Sequence, residues 1–286
     1  MSDRKKNSTP RIGLALSGGA ARGMAHVGVL RALFENNISL DCIAGTSAGA
    51  LVGGTMASGM PIDQIASIAR SLRWRDLGRM TMSRVGFQSN LRLEQYLRDR
   101  MPVTTFEELP IRFAAVATDL QSGEAVIMRD KGDVPFAIRA SCAIPGWYVP
   151  VVDEAGRQLV DGGLVANVPS KAARSLGADI VIAVDVNAEG ATFLGPSLSI
   201  ISVLLQSMLL VQRTASLYQL QAADLVIKPH VGHIRWDEMA RAEELMTAGY
   251  DAAMARIPEI KTRIELAMKA APKWYQLRRR REASAR

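Results

Sequence analysis

The sequence predicts one α/β domain in which helices cover both faces of a largely parallel sheet. Short apolar runs of strand type alternate along the chain with segments of helical periodicity. No internal repeat and no long linker rich in Gly, Ser or Pro interrupts this alternation. With 286 residues, 48% of them hydrophobic, the chain is long enough to bury a large core.

The elements follow one another in a regular order. The predicted strands are 11–16, 41–44, 112–118, 125–128, 158–160, 180–186 and 224–227. The predicted helices are 24–36, 48–59, 62–72, 91–99, 170–176, 198–222 and 238–256. In a sheet of this kind the loops that follow neighbouring parallel strands meet at its carboxyl edge, which is where a functional site is expected.

Positive charge is concentrated at the two ends of the chain. Of the net charge of +7, residues 1–11 carry +3 and residues 273–286 carry +5, which leaves −1 for the remainder. We therefore predict a basic N-terminal tail at 1–10, a folded domain at 11–272 and a basic C-terminal tail at 273–286. The run Arg278–Arg281 predicts either a solvated tail or peripheral contact with an anionic membrane. No groove-reading motif indicates a nucleic-acid partner.

The N-terminus and the cysteines predict a cytoplasmic protein, with peripheral membrane association as an option. The first residues are polar and charged, and the apolar run 12–16 is too short for the core of a signal peptide. Cys42 and Cys142 lie in apolar contexts without metal-type spacing, as expected of free thiols in a reducing compartment. The mostly apolar segment 197–211 is interpreted as a core helix or an interfacial surface rather than a span.

A glycine-rich turn follows the first predicted strand. It contains Gly18, Gly19 and Gly23 and leads directly into an apolar helix. Backbone N–H groups at such a turn can converge on an anion. The spacing lacks the G-x-G-x-x-G register and no Gly-Lys-Ser/Thr follows, which disfavours both nucleotide sites. An oxyanion hole and a purely structural turn remain.

A serine stands at the corresponding place after the second strand. Ser47 is the centre of Gly45-Thr46-Ser47-Ala48-Gly49, between a predicted strand and a predicted helix. This context lifts a serine hydroxyl out of a sheet, because the flanking glycines permit a sharp turn and close packing. Ser47 is therefore the candidate nucleophile, and the amides of Gly19 and Ala20 are candidate oxyanion donors.

Two bases compete for the Ser47 proton. A Ser-His-Asp order would combine Ser47 with Asp185 and His230, whereas His26 lies inside the first helix, where packing is its expected role. Asp161 is the better candidate because it stands at a strand end before Gly162 and Gly163. Burial beside a neutral serine would make such a carboxylate more basic.

Four ordered blocks resemble the patatin-like phospholipase family, in particular bacterial cytoplasmic members related to the catalytic domains of neuropathy target esterase. These are the glycine-rich block 13–23, the serine block 45–49, Ala140–Gly146, and Asp161-Gly162-Gly163 with Asn167 and Pro169. Residues 242–250 are similar to the family's C-terminal helix. The resemblance implies a three-layer α/β/α fold with a mainly parallel central sheet, and a Ser47-Asp161 dyad that requires neither histidine nor cofactor nor metal.

The resemblance also implies an activity and a substrate class. We expect a phospholipase or lysophospholipase acting on lipid acyl esters, with Gly18, Gly19, Ala20, Arg22 and Gly23 as oxyanion or substrate-binding residues. Many members of the family have glycine where this chain has Ala20, so a positive φ there would strain the loop. A non-catalytic regulatory protein on the same fold is the alternative of a different class. Headgroup, chain length and oligomeric state are not predicted.

Overall fold

The computed structural model describes residues 9–189 and 200–270, and in them a sheet of eight strands forms the centre. Its strands are β1 (Ile12–Leu16), β2 (Cys42–Thr46), β5 (Arg112–Asp119), β6 (Ala125–Arg129), β8 (Val151–Val152), β9 (Gln158–Asp161), β10 (Ile180–Val184) and β11 (Leu225–Ile227). The order is β11-β10-β1-β2-β5-β9-β8, and β6 pairs with β5. The pairs from β11 to β5 are parallel, whereas β6, β8 and β9 join antiparallel.

Ten α-helices and a second, three-stranded sheet surround this centre within the described residues. The helices are α1 (Ala25–Glu35), α2 (Ala48–Ala57), α3 (Ile62–Ser71), α4 (Trp74–Leu77), α5 (Leu91–Arg98), α6 (Val134–Ser141), α7 (Gly163–Ala166), α8 (Ser170–Ser175), α9 (Ile200–Gln219) and α10 (Ala242–Ala270). The second sheet has the order β3 (Arg79–Met80), β4 (Gly86–Ser89), β7 (Gly146–Tyr148).

Side chains of the central strands separate two apolar cores. Leu14, Leu16 and Ile43 belong to the larger core, together with residues of α1, α2, α3 and α10. The alternating positions Ala15 and Ala44 belong to the other core, with residues of α8. Because successive strand residues point to opposite faces, both faces of the sheet are covered. The expected three-layer α/β/α fold is confirmed.

Strand β5 positions the candidate site, because the C-terminal ends of β2 and β9 meet along one of its edges. Residues 114–118 of β5 pair with β6, so β2 (paired to 112–116) and β9 (paired to 117–119) both occupy the opposite edge. Thr46 of β2 faces Val116, and Asp161 of β9 faces the next residue, Ala117. The residue that follows Thr46 is therefore brought beside Asp161.

Several elements differ from the sequence-based expectation. All seven predicted strands are present within a few residues, but α6 and the small second sheet were not predicted. The last helix begins at Ala242 and continues to Ala270, beyond the predicted end at 256. Among the described helices, none has the length and apolar content needed to cross a bilayer. The structure does not describe residues 1–8 of the N-terminal tail or residues 197–199 of segment 197–211. The whole predicted tail 273–286, with Arg278–Arg281, also lies outside the described residues.

Candidate active site

Ser47 lies on a sharp turn between β2 and α2. Its backbone has φ 54° and ψ −122°, a conformation that non-glycine residues rarely adopt and that is typical of strained functional turns. The Ser47 amide donates to the Ser141 hydroxyl at 2.8 Å, and that hydroxyl donates to the Val116 carbonyl at 2.6 Å. These bonds fix the turn to β5 and to the end of α6.

The glycines that flank Ser47 are required by backbone packing. A Cβ on Gly45 would lie 2.4 Å from the Gly49 carbonyl oxygen, and one on Gly49 would lie 2.2 Å from the Leu16 carbonyl oxygen. Real Cβ atoms do not approach other atoms so closely. The turn and β1 can therefore pack this tightly only where both positions lack a side chain.

Asp161 ends β9 next to the serine. It is 4% exposed, its side chain accepts a hydrogen bond from the Gly163 amide at 2.8 Å, and it lies close to the Ser47 hydroxyl. Burial raises the pKa of Asp161 to about 6, against the effects of the Ser47 hydroxyl and the Gly163 amide, which favour the carboxylate. The carboxylate is therefore more basic than an ordinary aspartate and is aimed at the candidate nucleophile.

The glycine-rich turn lies beside the same serine, and the structure divides its amides into two groups. The Gly18 amide donates to the Asn167 carbonyl at 3.1 Å, and the Ala21 amide donates to the Trp236 carbonyl at 2.8 Å. Within the described residues the amides of Gly19 and Ala20 have no protein acceptor. Of the amides expected as oxyanion donors, those of Gly19 and Ala20 are available to an anion, whereas the Gly18 amide anchors the turn to Asn167.

Gly23 and Arg22 have packing environments that differ from each other. A Cβ on Gly23 would lie 2.3 Å from the Ala48 side chain, so this glycine lets the turn approach the serine helix. The Arg22 guanidinium is buried and donates to the carbonyl oxygens of Ile234 at 2.7 Å and Gly232 at 3.3 Å. Arg22 thereby ties the glycine-rich turn to the loop that precedes α10.

Ala20 adopts a positive φ, the conformation that we expected to strain the loop at this position. Its φ is 49°, and it lines a cavity together with Ser47. An alanine in the left-handed region costs about 1 kcal/mol, and a β-branched residue there is strained further.

We expect Ala20→Val to slow the reaction of Ser47 with a fluorophosphonate at least tenfold, because the Ala20 amide would be displaced. Ala20→Gly is the matched control: relief of strain offsets the greater chain entropy of glycine, so its rate should equal or exceed that of the wild type. Inactivation rates measured at several probe concentrations test this. An Ala20→Val protein that reacts as fast as the wild type would show that this amide takes no part.

The histidines lie in other environments. His26 is fully buried on α1 and its Nε2 bonds the Ser17 carbonyl at 2.8 Å, while burial lowers its pKa to about 4. The His230 ring pairs with Glu189, and its side chain is 83% exposed. Asp185 is buried and accepts from the Asn187 amide at 2.9 Å. The structure therefore does not assemble Ser47, Asp185 and His230 into a triad.

An apolar cavity opens beside Ser47. The space it encloses, together with its open mouth, measures about 990 Å³. Its wall is formed mainly by aliphatic and aromatic side chains of α2, α3, α4 and α5, among them Leu51, Ile65, Trp74 and Leu97, and by Met60 between α2 and α3. Such a wall fits a long apolar group better than a polar ligand.

Two residues of the site were not assigned a role from the sequence. Ser141 holds the Ser47 amide, and Cys142 lines the cavity as a free thiol in contact with the Ser47 hydroxyl. Burial raises the pKa of the Cys142 thiol well above its usual value, so the thiol stays neutral. Their membership of the block 140–146 was the available indication. In the described part of the chain, no three His, Cys, Asp or Glu side chains are grouped as metal ligands.

The strained turn at Ser47, the buried Asp161 carboxylate and the adjoining amides form the arrangement expected of a serine hydrolase. A sequence model described as patatin-like phospholipase matches residues 14–174, more than half of the chain. The chain belongs to the patatin-like phospholipase family.

Curated relatives and a solved structure agree with this membership. An uncharacterized NTE family protein of Mycobacterium tuberculosis is 43% identical over 185 residues, which are 63% of this chain and 50% of that protein. Patatin-like phospholipase domain-containing protein 7 of Rattus norvegicus is 35% identical over 63% of this chain and 14% of its own length. The chain therefore spans half or less of the length of these two relatives. VipD from Legionella pneumophila shares the fold, with a TM-score of 0.59 at 15% identity, over 88% of this chain and 67% of VipD.

Proposed function

We propose that the protein is a serine acyl hydrolase that cleaves lipid acyl esters through Ser47 and Asp161. The observation that carries this proposal is the contact between the Ser47 hydroxyl and the buried Asp161 carboxylate, on the wall of an apolar cavity. The family name supports a lipid substrate. Phospholipid and lysophospholipid esters are the expected substrates.

The acylation step follows from the positions of these groups. Asp161 accepts the proton of the Ser47 hydroxyl as Oγ bonds to the ester carbonyl carbon. The negative charge that develops on the carbonyl oxygen is stabilised by the Gly19 and Ala20 amides, and one such donor contributes about 3 kcal/mol to the barrier reduction. When the tetrahedral intermediate collapses, the ester C–O bond breaks and the leaving alcohol takes the proton from Asp161. An acyl-Ser47 ester remains.

Deacylation uses the same groups, with a water molecule in place of the Ser47 hydroxyl as the nucleophile. Asp161 removes a proton from a water molecule, whose oxygen bonds to the acyl carbonyl carbon. The intermediate collapses with return of the proton to the Ser47 Oγ and release of a carboxylic acid. The acyl chain occupies the apolar cavity throughout, because its transfer from water is favourable by about 0.8 kcal/mol for each buried methylene.

A fluorophosphonate probe tests the nucleophile directly. We expect the wild-type protein to be labelled and Ser47→Ala to lose all labelling and all release of fatty acid from phospholipid. Ser39→Ala, a change at an exposed serine, is the matched control and should be labelled as the wild type is. Mass spectrometry of the labelled peptide identifies the modified residue.

Two results would contradict the proposal. Absence of labelling in a folded wild-type protein would favour the regulatory alternative, in which the fold binds a partner without turnover. Loss of activity in His230→Ala would favour the Ser-His-Asp alternative, although the exposed His230 pairs with Glu189. We expect His230→Ala to retain activity close to that of the wild type.

A further inference from the structure

The β3–β4 hairpin, residues 79–91, exposes an unusual number of large apolar side chains. Met80, Met82, Val85, Phe87 and Leu91 are 70%, 107%, 62%, 47% and 44% exposed. The first four lie on the hairpin itself, whose strands pair from Arg79 to Ser89, and Leu91 begins α5 at its end. Exposed apolar residues that cluster in this way are typical of a surface that contacts a partner or a membrane.

The hairpin and the segments that flank it are together strongly basic. The segment 73–92 contains five arginines and one acidic residue, Asp76. Arg75, Arg79, Arg84 and Arg92 are all exposed, while Asp76 caps its own helix by accepting from the Arg73 amide at 2.9 Å. Alternating arginines and apolar side chains complement the two layers of a lipid surface, which are anionic headgroups outside and acyl chains beneath.

The hairpin is continuous with the wall of the apolar cavity. Trp74 and Leu77, just before it, and Leu93, just after it, line that cavity. Strand β4 pairs with β7, whose Tyr148 also lines the cavity. The exposed face of the hairpin therefore lies next to the cavity that Ser47 lines.

We propose that the β3–β4 hairpin docks the protein on an anionic lipid bilayer. The apolar side chains Met82 and Val85 enter the interface and the surrounding arginines bind headgroup phosphates and carboxylates. The choice of a bilayer as partner rests on the proposed function, since a lipid ester substrate resides there. The docking itself does not depend on catalysis and is measured separately.

Sedimentation with vesicles tests the docking, and Ser47→Ala is used as the background so that no lipid is hydrolysed. This protein should bind phosphatidylcholine vesicles that contain phosphatidylserine, and binding should weaken as salt is raised. Changing Arg75, Arg79 and Arg84 to Gln should lower the partition coefficient about fivefold for each arginine. Changing Met82 and Val85 to Ser should lower it about tenfold.

Matched controls separate the hairpin from the rest of the surface. Changing Arg112, Lys131 and Lys171 to Gln removes the same charge elsewhere, and changing Phe34 and Leu120 to Ser removes similar exposed apolar area. Neither control should lower binding by more than about twofold, the spread expected of surface changes. All variants keep residues 278–281, so any attraction through the C-terminal tail is the same in each.

Three results would overturn this inference. An equal loss of vesicle binding in the hairpin variants and in their controls would show that net charge alone decides the binding. Vesicle binding unchanged in the hairpin variants would exclude docking. Sedimentation velocity that finds a dimer abolished by the Met82 and Val85 changes, with vesicle binding unaltered, would identify a second copy as the partner. Fluorophosphonate labelling of the hairpin variants with Ser47 restored reports the proposed function independently.

Discussion

Asp161→Asn is expected to abolish ester hydrolysis and, at the same time, to stabilise the protein. Asparagine keeps the shape and the acceptor for the Gly163 amide but cannot take the Ser47 proton. We expect activity to fall by at least a thousandfold, within the range that acid–base catalysis contributes. The Ser47 hydroxyl would remain in place, without a base.

The gain in stability follows from the pKa of Asp161. Its folded-state pKa is raised from 3.8 to about 6, so the protonated form is favoured in the folded protein. Stability associated with this group is fully present below its unfolded pKa and is lost as the pH rises through about 6. Above that pH the buried carboxylate costs about 3 kcal/mol, at 1.36 kcal/mol for each pKa unit. Asparagine carries no such cost.

Urea unfolding of wild type and variant at two pH values measures this effect. The difference in unfolding free energy should reach about 3 kcal/mol at pH 8 and about half of that at pH 5, because Asp161 is partly protonated at the lower pH. Wild-type hydrolysis of a short-chain ester should rise with pH through about 6 for the same reason. A stability difference that does not change with pH would show that Asp161 is not the titrating group.

Asp185→Asn is the matched control for Asp161→Asn. Asp185 is also buried, and burial raises its pKa, but its partner is the Asn187 amide rather than Ser47. We expect this variant to keep most of its activity. If Asp185→Asn lost activity while Asp161→Asn kept it, the Ser-His-Asp alternative would be favoured.

Local patterns were sufficient to predict the central strands and the turn that carries Ser47. Runs such as 12–16 and 180–184 are apolar throughout because the parallel strands are buried on both faces. The antiparallel addition of β9 to β5 was not predictable, since it depends on pairing between residues 40 or more positions apart. That pairing brings Asp161 to Ser47, which the sequence indicated only through the place of Asp161 at a strand end before two glycines and through the family resemblance.

The supporting residues of the site were less predictable than its centre. Ser141 binds the Ser47 amide from a helix that periodicity did not identify, and no local pattern distinguishes it from any other buried serine. Gly18 and Arg22 belong to the predicted glycine-rich block, yet their roles depend on carbonyl groups at Asn167 and Ile234. Contacts between distant segments decide which member of a motif meets the substrate.

The contact between α1 and α10 is another such long-range feature, and Gly28 lies at its closest point. A Cβ on Gly28 would lie 1.8 Å from the Met246 carbonyl oxygen and 2.7 Å from the Tyr250 amide nitrogen. On the facing helix, a Cβ on Gly249 would lie 1.9 Å from the Ala25 carbonyl oxygen. Both obstacles are backbone atoms, so a side-chain rotation cannot relieve them and the helices must separate.

Gly28→Ala is therefore expected to destabilise the protein by about 3 kcal/mol or more, at the upper end of the range for overpacking. At an uncrowded helical position the same change would stabilise by about 1 kcal/mol, because alanine favours helix, so the sign of the effect reports the contact. Urea unfolding measures it, with Gly249→Ala and the double variant as comparisons. Since both changes separate the same helix pair, the double variant should lose less than the sum of the single losses. The helix α1 continues directly from the turn that contains Ala20, so fluorophosphonate labelling of Ser47 should also slow in these variants. Normal labelling together with undiminished stability would show that the two helices lie farther apart than in this structure.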